Sequence, residues 1–279
     1  LRQNLYFAYV QDDFKVSPQL TVTADLKALL RRVKLGRCLD TLPERLTLAH
    51  QQNLTHHEFL EVLLADEVTR RDIQSALLRA KTAGLDPAML LDRWDDTAKI
   101  TYDRTIFNEL CSLRFVDAPN DVVILGPVGV GKTFLASALG HIAVRRGRSV
   151  HFERADTLLK RLKATRLDNS HDAEVRKLLR VDVLIIDDFA LRAMDQIDTA
   201  EVYEIIVERH RRASTILTSN RNPGEMLAQM ADPLLAQSAI DRLHSNAHEL
   251  VIDGESYRRR QRPGIDTTEH PEPSSPRRH

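Results

Sequence analysis

VVILGPVGVGKT, residues 122–133, decides the fold class of this chain. Its second part matches the pattern G-x-x-x-x-G-K-[ST], in which glycines let backbone N–H groups converge on phosphate oxygens at a helix N-terminus. The apolar run before it predicts a buried strand, and residues 134–146 predict a helix. Lys132 is expected to bridge the β- and γ-phosphates and the Thr133 hydroxyl to bind Mg²⁺. The predicted nucleotide-binding residues are Gly126, Pro127, Val128, Gly129, Val130, Gly131, Lys132 and Thr133.

Beyond residue 120, apolar runs alternate with amphipathic helical patterns. The runs are residues 122–125, 150–152, 183–186, 215–217 and 250–252. Short continuous apolar runs separated by helices are typical of parallel strands that are covered on both faces. The sequence therefore predicts an α/β fold with an open, largely parallel sheet between helices.

Two carboxylates follow the apolar run 183–186, and an amide follows the next run. Ligands of open α/β sheets bind at the carboxyl ends of the strands, so Asp187 is predicted to hold Mg²⁺ through water. Asp188 is predicted to polarise the attacking water, and Asn220 to orient it. Because aspartate is shorter than the glutamate usual for this base, we expect slow hydrolysis. The alternative is that these residues serve only as helix caps and turns.

These pieces together resemble the AAA+ ATPases, and within them the IstB-type transposition helper proteins, relatives of the DnaC helicase loader. The features that carry the resemblance are residues 110–115 (LCSLRF), the phosphate loop, the acidic pair, residues 218–220 (TSN), residues 239–243 (AIDRL) and residues 254–258 (GESYR). The resemblance covers about residues 26–262. It is much more specific than the phosphate loop alone, which defines only a superfamily.

The resemblance implies a five-stranded AAA+ sheet, a catalytic cycle that uses ATP and Mg²⁺, and ATP-dependent assembly of a homo-oligomer on duplex DNA. It also implies a partner, a separate transposase of the IstA type. Arg242 matches the arginine finger, which would reach the nucleotide of a neighbouring subunit. Two departures are visible: Phe134 stands where histidine is common, and too few residues follow 252 for a helical lid domain.

The segments outside the predicted ATPase domain, residues 101–262, differ in character. Residues 26–100 predict a small α-helical partner or assembly module, with a capping box at Thr55 and Glu58 and a new helix cap at Asp86. Residues 20–26 alternate as a strand, and residues 9–18 (YVQDDFKVSP) resemble a strand hairpin of TonB-dependent outer-membrane receptors. We therefore expect residues 1–25 to be foreign or disordered. The polar, proline-rich residues 263–279 are predicted to be disordered.

Composition bounds the class of protein. The 279 residues include 40 basic and 40 acidic side chains, so no overall cationic field attracts nucleic acid. A hydrophobic fraction of 42% suits a globular core, and no apolar run is long enough for a membrane span. Two cysteines fit neither a disulfide framework nor a zinc pattern, which favours the reducing cytoplasm. The 11 histidines are scattered and are interpreted as surface residues.

DNA contact must therefore come from a local patch. Residues 157–166 predict a basic amphipathic helix, which faces the DNA path in the initiator and helicase-loader group that the chain resembles. Its cations could pair with phosphates without reading bases, so low sequence specificity is expected. They are Lys160, Arg161, Lys163 and Arg166. A solvated helix face, the run 209–212 and the run 258–262 are the alternatives.

Other functions remain open from the sequence. A replication helicase loader would share every nucleotide-binding residue. An ATP-assembled DNA clamp with little hydrolysis is compatible with Asp188 in place of glutamate. A small-molecule P-loop kinase would need an acceptor pocket and a lid, and no lid is evident in the sequence.

Overall fold

The computed structural model describes residues 14–17, 20–22, 24–94 and 100–257. These form two compact units that divide between Leu77 and Leu78. The division lies inside a helix and earlier in the chain than the boundary expected at 100/101. The predictions for residues 258–262 and 263–279 fall outside the described residues. No helix among the described residues is both long and apolar enough to cross a membrane.

The first unit begins with a hairpin and continues with helices. Strand β1 (Phe14–Ser17) pairs antiparallel with β2 (Leu20–Val22), followed by α1 (Ala24–Arg32), α2 (Cys38–Gln52) and the first part of α3 (His56–Thr82). The strand predicted through residue 26 was wrong from Ala24 onward, where α1 begins. Leucines at helical spacing from residue 26 onward extend α1 back to Ala24, so the helical period prevails over the short alternation. The foreign origin of residues 1–25 stays a prediction.

The capping box predicted at the start of α3 is confirmed. The Thr55 N–H donates to Oε2 of Glu58 at 2.7 Å, and the Glu58 N–H faces the Thr55 hydroxyl at 3.5 Å. The core of this unit is small and is built from Cys38, Leu42 and Leu63. Several apolar side chains that the helical pattern would bury remain exposed. They are Leu29, Val33, Leu60, Leu64 and Val68.

The second unit holds the remaining elements. Its strands are β3 (Ile100–Thr101), β4 (Asp121–Leu125), β5 (Val150–Arg154), β6 (Val183–Asp187), β7 (Ser214–Ser219), β8 (Ala247–Val251) and β9 (Asp253–Gly254). Its helices, besides the end of α3, are α4 (Arg104–Ser112), α5 (Arg114–Asp117), α6 (Lys132–Arg145), α7 (Ala155–Thr165), α8 (His171–Arg180), α9 (Gln196–Arg209), α10 (Pro223–Leu227) and α11 (Pro233–Ser245). The helix start predicted at Asp86 was wrong. The Asp86 carboxylate accepts from the Ala88 N–H in a turn, and between there and residue 94, where the described stretch ends, the chain forms only a 3₁₀ helix at Leu91–Arg93.

The five predicted apolar runs form one parallel sheet with the order β5-β6-β7-β4-β8. Every residue of β4, β6 and β7 is buried, which explains why the apolar runs within these strands show no alternation. Leu125 lies opposite Ser219, and Ile186 lies opposite Leu217, so three strands end together at one edge. Within the described residues no helical lid follows β8.

At the opposite edge of the sheet, Arg209 is buried with 1% of its surface exposed. Its guanidinium donates to the carbonyls of Leu178, Val181 and Ser214 and to the Thr215 hydroxyl. Burial lowers the pKa of Arg209 to about 10. The alternative DNA patch at 209–212 is therefore wrong for Arg209, because this cation is enclosed by its own hydrogen bonds.

Candidate nucleotide-binding site

The phosphate loop joins β4 to α6, as predicted. Gly129 and Gly131 adopt φ values of +87° and +99°, a region that disfavours any side chain. Space is also restricted at both positions. A Cβ at Gly129 would lie 2.1 Å from Oγ of Ser256, and one at Gly131 would lie 2.7 Å from the indole ring of Trp94. Glycine is therefore required here both by backbone conformation and by close neighbours.

Lys132 and Thr133 form the first turn of α6, at the edge where the strands end. The Lys132 ammonium donates to the carbonyls of Gly126 and Pro127, at 2.8 Å each. The Thr133 hydroxyl contacts Oδ1 of Asp187 at 3.0 Å and Oδ2 at 3.1 Å. The structure thus brings together the loop threonine and the strand-end acid that the sequence predicted as the metal-binding pair.

Asp187 ends β6 and is 2% exposed. Its Oδ1 also accepts a hydrogen bond of 2.6 Å from the Thr218 hydroxyl on β7. Burial and the neighbouring Asp188 raise the pKa of Asp187, while the Thr218 and Thr133 hydroxyls oppose the rise. A hydroxyl beside a buried carboxylate is an oxygen donor set that Mg²⁺ prefers. These residues therefore fit the predicted metal.

Asp188 follows β6 in a left-handed conformation, with φ of +53°. Its N–H donates to the Thr218 hydroxyl at 3.0 Å, which holds this turn against β7. Its carboxylate lies 3.1 Å from the guanidinium of Arg154, the last residue of β5. In the sequence, Thr218 stood out only as part of the family feature 218–220, and Arg154 did not stand out at all. Only their positions at the carboxyl ends of neighbouring strands could have indicated them.

Asn220 and Arg242 occupy different surroundings. Asn220 is exposed and directly follows β7, the strand between β6 and β4. It therefore lies at the edge shared by the phosphate loop and the acidic pair. Arg242 lies on α11, and its guanidinium donates to the carbonyl of Ser238 one turn earlier, at 2.9 Å. The trans role of Arg242 stays a prediction.

The segment that follows β9 also reaches the phosphate loop. The Tyr257 N–H donates to the carbonyl of Gly129 at 2.9 Å, beside the Ser256 contact described above. From the other direction Trp94 packs on Phe134, with ring centroids 5.2 Å apart. In the sequence, residues 254–258 stand out only as a family feature. In the structure, the described part of that motif lies against the backbone of the phosphate loop.

The basic helix α7 is less free than predicted. Of the four predicted cations, three lie on α7 and Arg166 directly follows it, and three of the four are held in close ion pairs with acidic side chains of the same unit. The pairs are Arg161 with Glu153 and Glu174, Lys163 with Asp195 and Asp198, and Arg166 with Glu201. Lys160 differs in degree, since 71% of its side chain is exposed and its ion pair with Asp156 is long, at 3.9 Å. Of the four predicted DNA contacts, Lys160 is the most accessible.

Comparisons with known proteins find relatives that are described as ATP-binding. The family described as IstB-like ATP binding protein matches residues 28–264. An insertion-sequence ATP-binding protein of Mycobacterium tuberculosis is 37% identical over 244 residues, which cover 87% of this chain and 97% of that protein. The ATP-binding protein of insertion sequence IS21 from Pseudomonas aeruginosa is 33% identical, covering 84% and 88% respectively.

Among solved structures, the replication initiator DnaA bound to AMPPCP and single-stranded DNA is similar in fold. Its TM-score is 0.51 at 22% identity, and the match covers 61% of this chain and 51% of DnaA. The fold is therefore of the AAA+ type, with the five-stranded sheet that the resemblance implied.

Proposed function

Because the chain belongs to the IstB-like ATP-binding family, we propose that it is an ATPase that assembles on target DNA and assists a separate transposase. The observation that carries the proposal is the contact between Thr133 and Asp187. This contact brings the phosphate loop and the acidic strand end into one site. Mg²⁺ bound there would neutralise developing charge on the phosphates.

The chain's own residues have distinct tasks in this proposal. When nucleotide binds, the Lys132 ammonium exchanges its hydrogen bonds to the carbonyls of Gly126 and Pro127 for hydrogen bonds to phosphate oxygens. Phosphate oxygens are the stronger acceptors because they are charged. Asp188 takes the proton of the attacking water, and Asn220 orients that water from the end of β7. Arg154 restrains the Asp188 carboxylate through their ion pair.

Hydrolysis is tested with Asp188→Asn, measured as phosphate release with and without duplex DNA. We expect the rate to fall by about 10²-fold or more, the usual effect of losing a general base. Asp182→Asn is the matched control, because Asp182 directly precedes β6 at its other end. An Asp188→Asn variant that hydrolyses ATP at the normal rate would refute the role of this residue.

Assembly on DNA needs a second subunit, to which Arg242 would contribute its guanidinium. Mixing Arg242→Ala with Lys132→Ala chains tests this, since each subunit retains what the other lacks. Some activity should return in the mixture if sites are shared between subunits. Sizing in ATP should show a larger species than sizing without nucleotide, and a single size in both conditions would contradict assembly.

The first unit carries an exposed apolar surface that could bind a protein partner. Leu60, Leu64 and Val68 are exposed and recur every fourth residue, so they share one face of α3. We expect this face to bind the transposase. The test measures strand transfer by the transposase of the same element, with wild type and with a chain in which these three residues are serine. A loader would instead stimulate helicase loading and leave strand transfer unchanged.

DNA binding rests mainly on Lys160 in this proposal. Because the other three cations are held in closer ion pairs and are less exposed, Lys160→Gln should weaken duplex binding and lower its dependence on salt. Affinity should change little between unrelated sequences. Arg212→Gln is the control, since Arg212 pairs with Glu208 on the preceding helix α9. Equal loss in both variants would argue against a specific role for α7.

A further inference from the structure

A histidine and two glutamates meet outside the nucleotide site. His171 is the first residue of α8, and Glu201 and Glu204 lie one turn apart on α9. One ligand atom from each residue lies within 4.8 Å of the others. None of the three was singled out by sequence spacing, because His171 is 30 residues from the nearer of its carboxylates in the chain.

The surroundings of the Glu201 carboxylate favour a cation in this cluster. The side chain is fully buried, and its Oε1 accepts a 2.7 Å hydrogen bond from Arg166. Its Oε2, which faces His171 Nε2 at 3.4 Å, is buried and has no hydrogen-bond partner. Buried carboxylate oxygens are normally paired with a donor or a cation, and Oε2 has only this long contact to the imidazole.

The neighbours of the His171 ring bear on which of its nitrogens can bind a metal. The Thr165 hydroxyl donates to the Leu162 carbonyl at 2.7 Å and lies 3.4 Å from Nδ1 of His171. Because the hydroxyl proton is used in the 2.7 Å bond to Leu162, the longer contact is a hydrogen bond in the tautomer that carries the ring proton on Nδ1. In the neutral imidazole, Nε2 then carries a lone pair toward Glu201 Oε2. Two acceptors then face each other, an arrangement that either a second proton on the ring or a metal ion satisfies.

We propose that His171, Glu201 and Glu204 bind a divalent transition metal, with Zn²⁺ as the probe. One imidazole nitrogen and two carboxylates suit Zn²⁺ with water in its remaining position, whereas Mg²⁺ prefers oxygen ligands alone. The Thr165 contact to Nδ1 orients the ring as neighbouring groups of metal-bound histidines commonly do. Two carboxylates and the Arg166 guanidinium leave one net negative charge for the cation. The bound metal would join α8 to α9 beside the end of α7.

The full chain, freed of metal with EDTA and without nucleotide, is titrated with ZnCl₂ by calorimetry and with CoCl₂ by visible absorption. We expect saturable binding that His171→Gln and Glu204→Gln each weaken by about tenfold or more. The Co²⁺ spectrum should show nitrogen and oxygen coordination in wild type and lose its intensity in both variants. The thermal midpoint should rise with Zn²⁺, because a ligand of the native state stabilises it.

Glu208→Gln and His244→Gln are the matched controls, since Glu208 lies one turn beyond Glu204 on α9 and His244 is another histidine near a carboxylate. Both should keep wild-type Zn²⁺ affinity. Glu204 is exposed, so its variant tests the site even if His171→Gln loses its fold, which far-ultraviolet circular dichroism reports. Unchanged affinity in Glu204→Gln, or the absence of saturable Zn²⁺ binding in wild type, would overturn the proposal.

Discussion

Replacing Gly129 with alanine should separate two reasons for glycine in the phosphate loop. The φ of +87° costs an alanine about 1–2 kcal/mol. A Cβ only 2.1 Å from Oγ and 3.0 Å from Cβ of Ser256 adds overpacking strain of about 1–3 kcal/mol. Gly129→Ala should therefore lower the free energy of unfolding by about 2–5 kcal/mol, and displace the loop from its nucleotide-binding conformation.

Two further variants isolate these contributions. Gly147 has a similar φ of +79°, and no atom lies within 4 Å of the position that an alanine Cβ would take there, so Gly147→Ala should show only the conformational cost. Adding Ser256→Gly to Gly129→Ala should recover the packing part, about 1–3 kcal/mol. Urea unfolding followed by fluorescence of Trp94, the one tryptophan of the chain, measures all variants beside the loop. Equal destabilisation by Gly129→Ala and Gly147→Ala would refute the packing of Ser256 on the loop.

Three other changes have definite expected outcomes. Arg209→Met should destabilise the protein by about 3–5 kcal/mol in urea unfolding, since it leaves buried carbonyls and the Asp121 carboxylate without their cation; a loss below about 1 kcal/mol would contradict this. Burial raises the pKa of Asp121 from 3.8 to about 6, so the folded state binds a proton that the unfolded state releases. Its contribution to stability is full below pH 3.8 and is lost as the pH rises through 6, and Asp121→Asn should flatten thermal midpoints across that window. Arg154→Met should raise ATP hydrolysis several-fold at saturating ATP, because the guanidinium no longer competes with water for Asp188; a rate that falls as far as in Asp188→Asn would show that Arg154 assists catalysis instead.

Several predictions from sequence succeeded because they depend on local chemistry. Residues 122–133 specify a strand, a glycine turn and a helix start within one short segment, and all three occur in the structure. The capping box at Thr55 likewise needs only residues three positions apart. The strand predicted through residue 26 and the helix expected after Asp86 failed, since in each place a short local signal competed with the neighbouring chain.

The surroundings of the charged residues could not be read in the same way. In the sequence, Lys163 and Arg166 look like part of a solvent-exposed basic helix face. In the structure, their acidic partners lie on α9 and in the turn before it. Arg209 belongs to a run of cations in the sequence, yet its side chain is buried at the edge of the sheet opposite the nucleotide site. The residue type gives the charge of a side chain, whereas the solvation and pairing of that charge depend on residues that are distant in the chain.

The amino-acid sequence by itself determined that a nucleotide phosphate site stands between a buried strand and a helix, because glycines, lysine and threonine at fixed spacing suffice to build it. It also determined the alternation of apolar runs and helices that makes a parallel sheet. Only the tertiary structure decided that Thr133 and Thr218 meet on Asp187, that Arg154 holds Asp188, and that Ser256 packs on the loop. Those contacts join segments separated by many residues, and the order of strands in the sheet is what brings them to one edge.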